Sequence, residues 1–120
     1  VVTSAAGAVR VYERLGAPNE AAWIGARAVD PARGGRDVLG AVVELEAPDG
    51  AVQRRTIQTC HGYLSASEAV ARFGLEGDGV APVAFSVALS VTWPDGARER
   101  FEGLAPGRVY TLRRDAGQPR

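Results

Sequence analysis

Lysine and methionine are both missing from this 120-residue chain, cysteine and histidine occur once each, and the formal net charge is zero. Each of these lacks excludes something. One cysteine cannot form an internal disulfide, so the fold must be held by packing and hydrogen bonds. One Cys and one His leave a zinc site short of its three or four ligands, unless carboxylates supply nearly all of them. Fourteen basic residues, all arginine, are balanced by fourteen acidic ones scattered along the chain. A nucleic-acid binder shows a basic excess on one face, and none is visible here. No apolar run approaches the ~20 residues that cross a bilayer. No signal peptide is recognisable, and a chain without a starting methionine reads as a processed product or an excised piece. The arginine-only, alanine-rich bias points to a GC-rich, bacterial genome rather than to chemistry.

What is present is ordinary for a globular protein: 46% apolar and 23% charged residues. A chain of this length makes one domain and buries roughly two thirds of the surface its unfolded form exposes. Fifteen glycines and seven prolines cut it into short segments, the punctuation of an all-β domain. Val9 and Val11 alternate with Arg10 and Tyr12 as a first strand, and 16–20 is a turn-rich break. Residues 23–29 read as a strand and 30–37 as a loop. Strands at 38–47 and 51–59 flank Pro48-Asp49-Gly50, where proline presets φ and Asp-Gly tolerates positive φ. On the first of these, Ala41, Val43, Leu45 and Ala47 share one face; Glu44 and Glu46 point the other way. Ser65 to Glu68 fits a capping box that would start one short helical turn over 69–72. Val83, Phe85, Val87, Leu89, Val91 and Trp93 then alternate with small or hydroxylated residues, the pattern of a central strand with one face on the core. Pro94-Asp95-Gly96 and Pro106-Gly107 turn the chain into strands at 97–102 and 108–113, and 114–120 is expected to be a loose tail. The prediction is an antiparallel β-sandwich of about seven strands with one short helical turn; a small barrel is the competing architecture.

The chemistry-bearing residues are few. Cys60-His61 is the one pair with nucleophilic potential. Strand neighbours point to opposite faces, so the simpler expectation is a buried Cys60 and a polar strand-end His61. Glu76 and Asp78 stand in a glycine-rich loop that could offer oxygen ligands to calcium, though a solvated turn explains them as well. Tyr63 could present its ring and hydroxyl to a protein or a sugar. The plainer expectation has Gly62 allowing a bend, Tyr63 and Leu64 packed beneath it, and Ser65 capping the next turn. Trp93, continuing the apolar face of its strand, is expected in the core. Pro94, lacking an N–H, ends the ladder.

Four segments taken in order carry a resemblance: Leu39-Gly40-Ala41-Val42-Val43, Gly62-Tyr63-Leu64-Ser65-Ala66-Ser67, Arg72-Phe73-Gly74-Leu75, and Val91-Thr92-Trp93-Pro94-Asp95-Gly96. Over roughly 23–112 the chain resembles the domain named after ASPIC (acidic secreted protein in cartilage) and UnbV. Cys60-His61 departs from that family, which has small residues or glycine there. The resemblance implies a non-catalytic module, without cofactor or metal, that follows integrin-like FG-GAP repeats in secreted proteins. It implies an extracellular or periplasmic location and a protein or matrix partner, the preceding propeller being one candidate. Tyr63, Ser65 and Ser67 are the candidate partner-binding residues. Residues 1–20 would be the remnant of a last propeller blade, although Glu13-Arg14 replaces an expected asparagine and Ile24 follows Trp23. Stripped of neighbours, that strand could mediate self-association. The remaining partition is a sandwich over 21–113 and the tail at 114–120. Two other readings are carried: a carbohydrate-binding sandwich, which needs Tyr63, Trp23 or Tyr110 in solvent and in one line, and a thiol enzyme on Cys60.

Overall fold

A computed structural model describes residues 6–11, 23–46, 50–75 and 86–120. Nine strands follow one another: β1 (Trp23–Asp30), β2 (Arg36–Asp37), β3 (Val42–Glu46), β4 (Val52–Thr56), β5 (Ala71–Gly74), β6 (Val87–Thr92), β7 (Arg98–Leu104), β8 (Val109–Arg113) and β9 (Gln118–Pro119). The only helical element among the described residues is a 3₁₀ turn, Pro31–Arg33. Proline at its start and left-handed Gly34 at its end bracket it, and Asp30 caps it by accepting the Ala32 N–H at 2.9 Å.

Two sheets form the sandwich. The larger runs β4-β3-β6-β7-β9 and is antiparallel throughout. The smaller is built on β1, which pairs antiparallel with β2 and β5 and parallel with β8. β8 runs along Gly25–Val29 and overlaps the stretches paired with β2 and β5, so it occupies the opposite edge of β1. The all-β sandwich is thus as the sequence predicts, with one correction: the β1–β8 pairing is parallel, and β8 pairs across to β1 rather than with its chain neighbour β7, which lies in the other sheet.

The core lies between the sheets. Ile24, Ala26 and Ala28 from β1, Ala71 and Phe73 from β5, and Leu112 from β8 meet Val43, Leu45, Val87, Leu89, Val91 and Trp93. The smaller sheet mixes three alanines with Ile24, Phe73 and Leu112, and the larger one supplies bulky side chains throughout, so small and large residues face each other across the core. Period-two burial explains the strands: Ala41, Val43 and Leu45 are fully buried, as are Leu89 and Val91. Ala47, Val83 and Phe85 and most of the Pro48-Asp49-Gly50 turn lie outside the described residues.

Three expectations are corrected. No helical turn forms at 69–72. Ala69, Ala71 and Phe73 alternate inward, the last two in β5, and Glu68 pairs with Arg72 instead of capping a helix; burial of a period-two face outweighs a local capping signal. The 30–37 loop contains β2, paired with the end of β1. The segment 114–120 is not loose, since β9 adds to β7 and Arg120 reaches Glu46 and Ser90. Of the N-terminal segment only 6–11 is described: Val9 and Val11 are exposed and Arg10 makes an isolated β-bridge.

The outer face of the larger sheet is an ion-pair ladder. Glu44, almost buried, accepts from Arg54 with one oxygen and from Arg98 at 2.9 Å with the other. Glu46 takes Arg100 at 2.8 Å and Arg120 at 2.7 Å. Hydrogen bonding from Arg54, aided by Arg98, holds the Glu44 carboxyl below its ordinary value of 4.5, and Arg120 and Arg100 do the same for Glu46. A depressed native pKa means the pairs stabilise the fold above the unfolded value and that this contribution is lost as pH falls through the native one. The denaturant midpoint is therefore expected to hold constant from neutrality down to about pH 5 and to fall as pH drops below 4.5. Glu44→Gln should flatten that acid limb; an unchanged limb would show that Glu44 does not contribute to it.

Candidate functional site

The loop between β4 and β5 is anchored at both ends and open in the middle. Buried Ile57 donates to Ala41 O and accepts from Gly40 N, both at 2.8 Å. Ser67 N–H closes the loop on Thr59 O at 2.7 Å, and buried Ala69 leads into β5. Residues 60–68 between these anchors are all exposed. At the tip, Tyr63 is 92% and Leu64 88% exposed. Leu64 has φ 52, a left-handed conformation that a branched side chain adopts only at a cost. Ser65 and Ser67 follow the pair and are likewise in solvent.

The expectation that Tyr63 and Leu64 pack beneath a bend is therefore wrong. Buried Ile57 and Ala69 bound the loop, and every residue from 60 to 68 between them is exposed. Cys60 is also misplaced by the sequence reading: it is exposed, its thiol 3.5 Å from Gly62 O. β4 ends at Thr56, so Cys60 is in a loop and strand alternation does not apply. His61 turns its Nδ1 toward Gln58 Nε2 at 3.0 Å, and no hydrogen bond joins it to Cys60 among the described residues. The aromatic side chains do not form a row. Trp23 lies on the outer face of β1 with the Arg72 guanidinium 5.6 Å from its ring; Tyr110 packs toward the core, its hydroxyl accepting from Ala105 N at 2.8 Å. Glu76 and Asp78 lie outside the described residues, among which no three Cys, His, Asp or Glu side chains gather in a metal-binding group.

Trp93-Pro94-Asp95-Gly96 forms a different kind of site, a clasp. The β6–β7 turn closes through Trp93 N to Ala97 O and Gly96 N to Trp93 O, each 2.8 Å, with Gly96 at φ 91. The Trp93 ring is 1% exposed. Its indole N–H donates to Glu99 Oε2 at 2.5 Å, and that carboxylate also accepts from Asp115 N and Gly117 N, each at 3.1 Å. Glu99 is 7% exposed and makes no salt bridge among the described residues, so three N–H groups stand in for a cation. Arg114 binds Asp95 and lies over the Trp93 ring, 5.6 Å from its centroid. Sequence reasoning passed over Glu99; the available signal was a carboxylate sharing the inward register of β7 with Phe101.

Over residues 31–119, well beyond half of the chain, the sequence matches the family described as ASPIC and UnbV. The chain belongs to the ASPIC and UnbV family. No curated protein matches it. Two of the ASPIC/UnbV motifs play opposite parts: the Trp93 segment builds the clasp, whereas the Gly62–Ser67 segment stands in solvent. The match begins one residue after β1, although β1 is the strand on which the whole smaller sheet is assembled. Membership is consistent with a module that has no enzymatic activity. No helix of the described residues is long and apolar enough to cross a membrane.

Proposed function

We propose that this ASPIC/UnbV domain is a non-catalytic interaction module that engages a protein partner through Tyr63 and Leu64, with Ser65 and Ser67 as polar rim. The observation that carries the reading is the solvent exposure of both large side chains on a loop pinned at its ends. Holding a tyrosine and a leucine out of the core forfeits their burial, roughly 1.5–3 kcal/mol for an aliphatic side chain. A partner pocket recovers it, and aromatic anchors of this kind dominate interface energetics. The charge of the loop favours protein over lipid. Between Ile57 and Val70 the only formal charge is Glu68, whereas membrane-surface segments carry basic residues beside their apolar ones. The partner is a neighbouring propeller or a matrix protein, and the location extracellular or periplasmic, on the strength of the family's association with secreted FG-GAP proteins. Exposed Val9 and Val11 offer a second apolar pair for self-association.

The test places a photoreactive phenylalanine at position 63 and, as a control, at exposed Val52 on β4, in the chain expressed in its source cells. A discrete protein adduct at 63, absent at 52 and lost with Leu64→Ala, is expected. Identical adduct patterns at the two positions would contradict the reading.

A further inference from the structure

A cavity of about 280 Å³ opens on the outer face of the larger sheet, lined by Val42, Glu44, Arg54, Thr92 and Arg98. Strand register builds it. Val42 pairs with Thr92 and Thr92 with Arg98, while Glu44 stands opposite Arg54. β3 and β6 thus supply a floor, and β4 and β7 hold one arginine on either side of it. Glu44 lies beneath both guanidinium groups, its side chain 9% exposed against 70% for Arg54 and 43% for Arg98. It also aims them: Oε1 accepts from Arg54 Nε at 2.8 Å and from Nη2, and Oε2 accepts from Arg98 Nη2 at 2.9 Å. Among the described residues, Arg54 Nη1 and Arg98 Nε and Nη1 meet no acceptor. Two cations share one carboxylate, so a positive charge and several donors are left over. The neighbouring cluster is balanced instead. Arg100 and Arg120 share Glu46, and Glu102 takes Arg100 Nε at 2.7 Å, so two arginines meet two carboxylates.

We propose that the cavity binds a carboxylate from outside the domain, held by Arg54 and Arg98 with the Thr92 hydroxyl at its floor. Charge selects a monoanion, which neutralises what Glu44 leaves uncompensated. Shape selects a carboxylate, whose two oxygens match the forked donors of guanidinium groups. Size limits the ligand to one acidic group, because the volume falls below the ~300–1,000 Å³ of sites for larger molecules. Glu44 fixes both arginines before the ligand arrives, so little side-chain freedom is left to lose on binding. The carboxylate belongs to a free organic acid or to an acidic side chain of a polypeptide; the recognition chemistry is the same.

The test is an NMR titration of the full chain with acetate replacing chloride at constant ionic strength, following the arginine Nε–H signals. Saturating shifts at Arg54 and Arg98 are expected, with a millimolar midpoint, since contacts open to solvent are weak. Arg27 and Arg100, whose carboxylates are already in place, should move little. Arg98→Gln should raise the midpoint about tenfold, the effect of losing a hydrogen bond to a charged group. If that variant does not fold, Arg54→Gln on edge strand β4 replaces it. The blocked peptide Gly-Glu-Gly separates the sources: saturation at clearly lower concentration than acetate assigns the site to polypeptides, and equal or weaker binding assigns it to free acids. Shifts that grow linearly, that follow all arginines alike, or that keep their midpoint in the folded variant would overturn the proposal.

Discussion

Trp93→Ala is expected to lower stability by about 3–5 kcal/mol, the usual cost of truncating a buried aromatic. The ring is almost wholly enclosed, sits at the end of the central strand and is covered by Arg114. Against a total of ~5–15 kcal/mol for a domain this approaches unfolding. Trp93→Phe keeps most of the volume but removes the N–H bound to Glu99, so it should cost clearly less. A urea midpoint for Trp93→Ala equal to that of the parent would contradict the core assignment.

Glu99→Ala should cost about 2–4 kcal/mol, because each buried donor left unpaired is worth about 1–3 kcal/mol and the Trp93 indole loses its acceptor outright. The two backbone donors at 115 and 117 can regain water if the segment lifts away, which keeps the cost below three full penalties. The lifting itself is the diagnostic. Exchange at 98–100 should accelerate in Glu99→Ala together with the fall in midpoint. Glu99→Gln keeps one acceptor oxygen but aims an amide at a backbone donor, so it should fall between Glu99→Ala and the parent. Equal stability of all three would show that the carboxylate is a solvated surface group.

The sandwich was legible where a local period carries it. Val87 to Trp93 and Ala41 to Leu45 alternate cleanly, and their buried faces are the ones the alternation indicates. The parallel β1–β8 pairing was not legible, since register between strands some eighty residues apart leaves no mark on either strand's own pattern. Strands of two residues, such as β2 and β9, are too short for any period to show. At 65–72 a good capping signal misled, because the inward alternation of Ala69, Ala71 and Phe73 decides the conformation through tertiary burial. The same limit applied to the candidate site. Gly62-Tyr63-Leu64-Ser65 stood out by its pattern, and its residue types fit a packed bend as well as a presented loop. What separates the two is the pair of long-range bonds joining Ile57 to residues 40 and 41, which anchor the loop's entry.

The Trp93 motif is buried in the domain and the Tyr63 motif faces solvent, and the proposed partner contact rests on that separation. The most direct measurement is the urea midpoint of the double variant Tyr63→Ala/Leu64→Ala. Substitutions of exposed side chains away from special features change stability by about 0.5 kcal/mol or less. A midpoint within that margin of the parent, with an unchanged slope, is expected. A loss of about 2 kcal/mol or more, the scale for large apolar side chains removed from a core, would show that Tyr63 and Leu64 pack on the domain and would contradict their role as the presented surface.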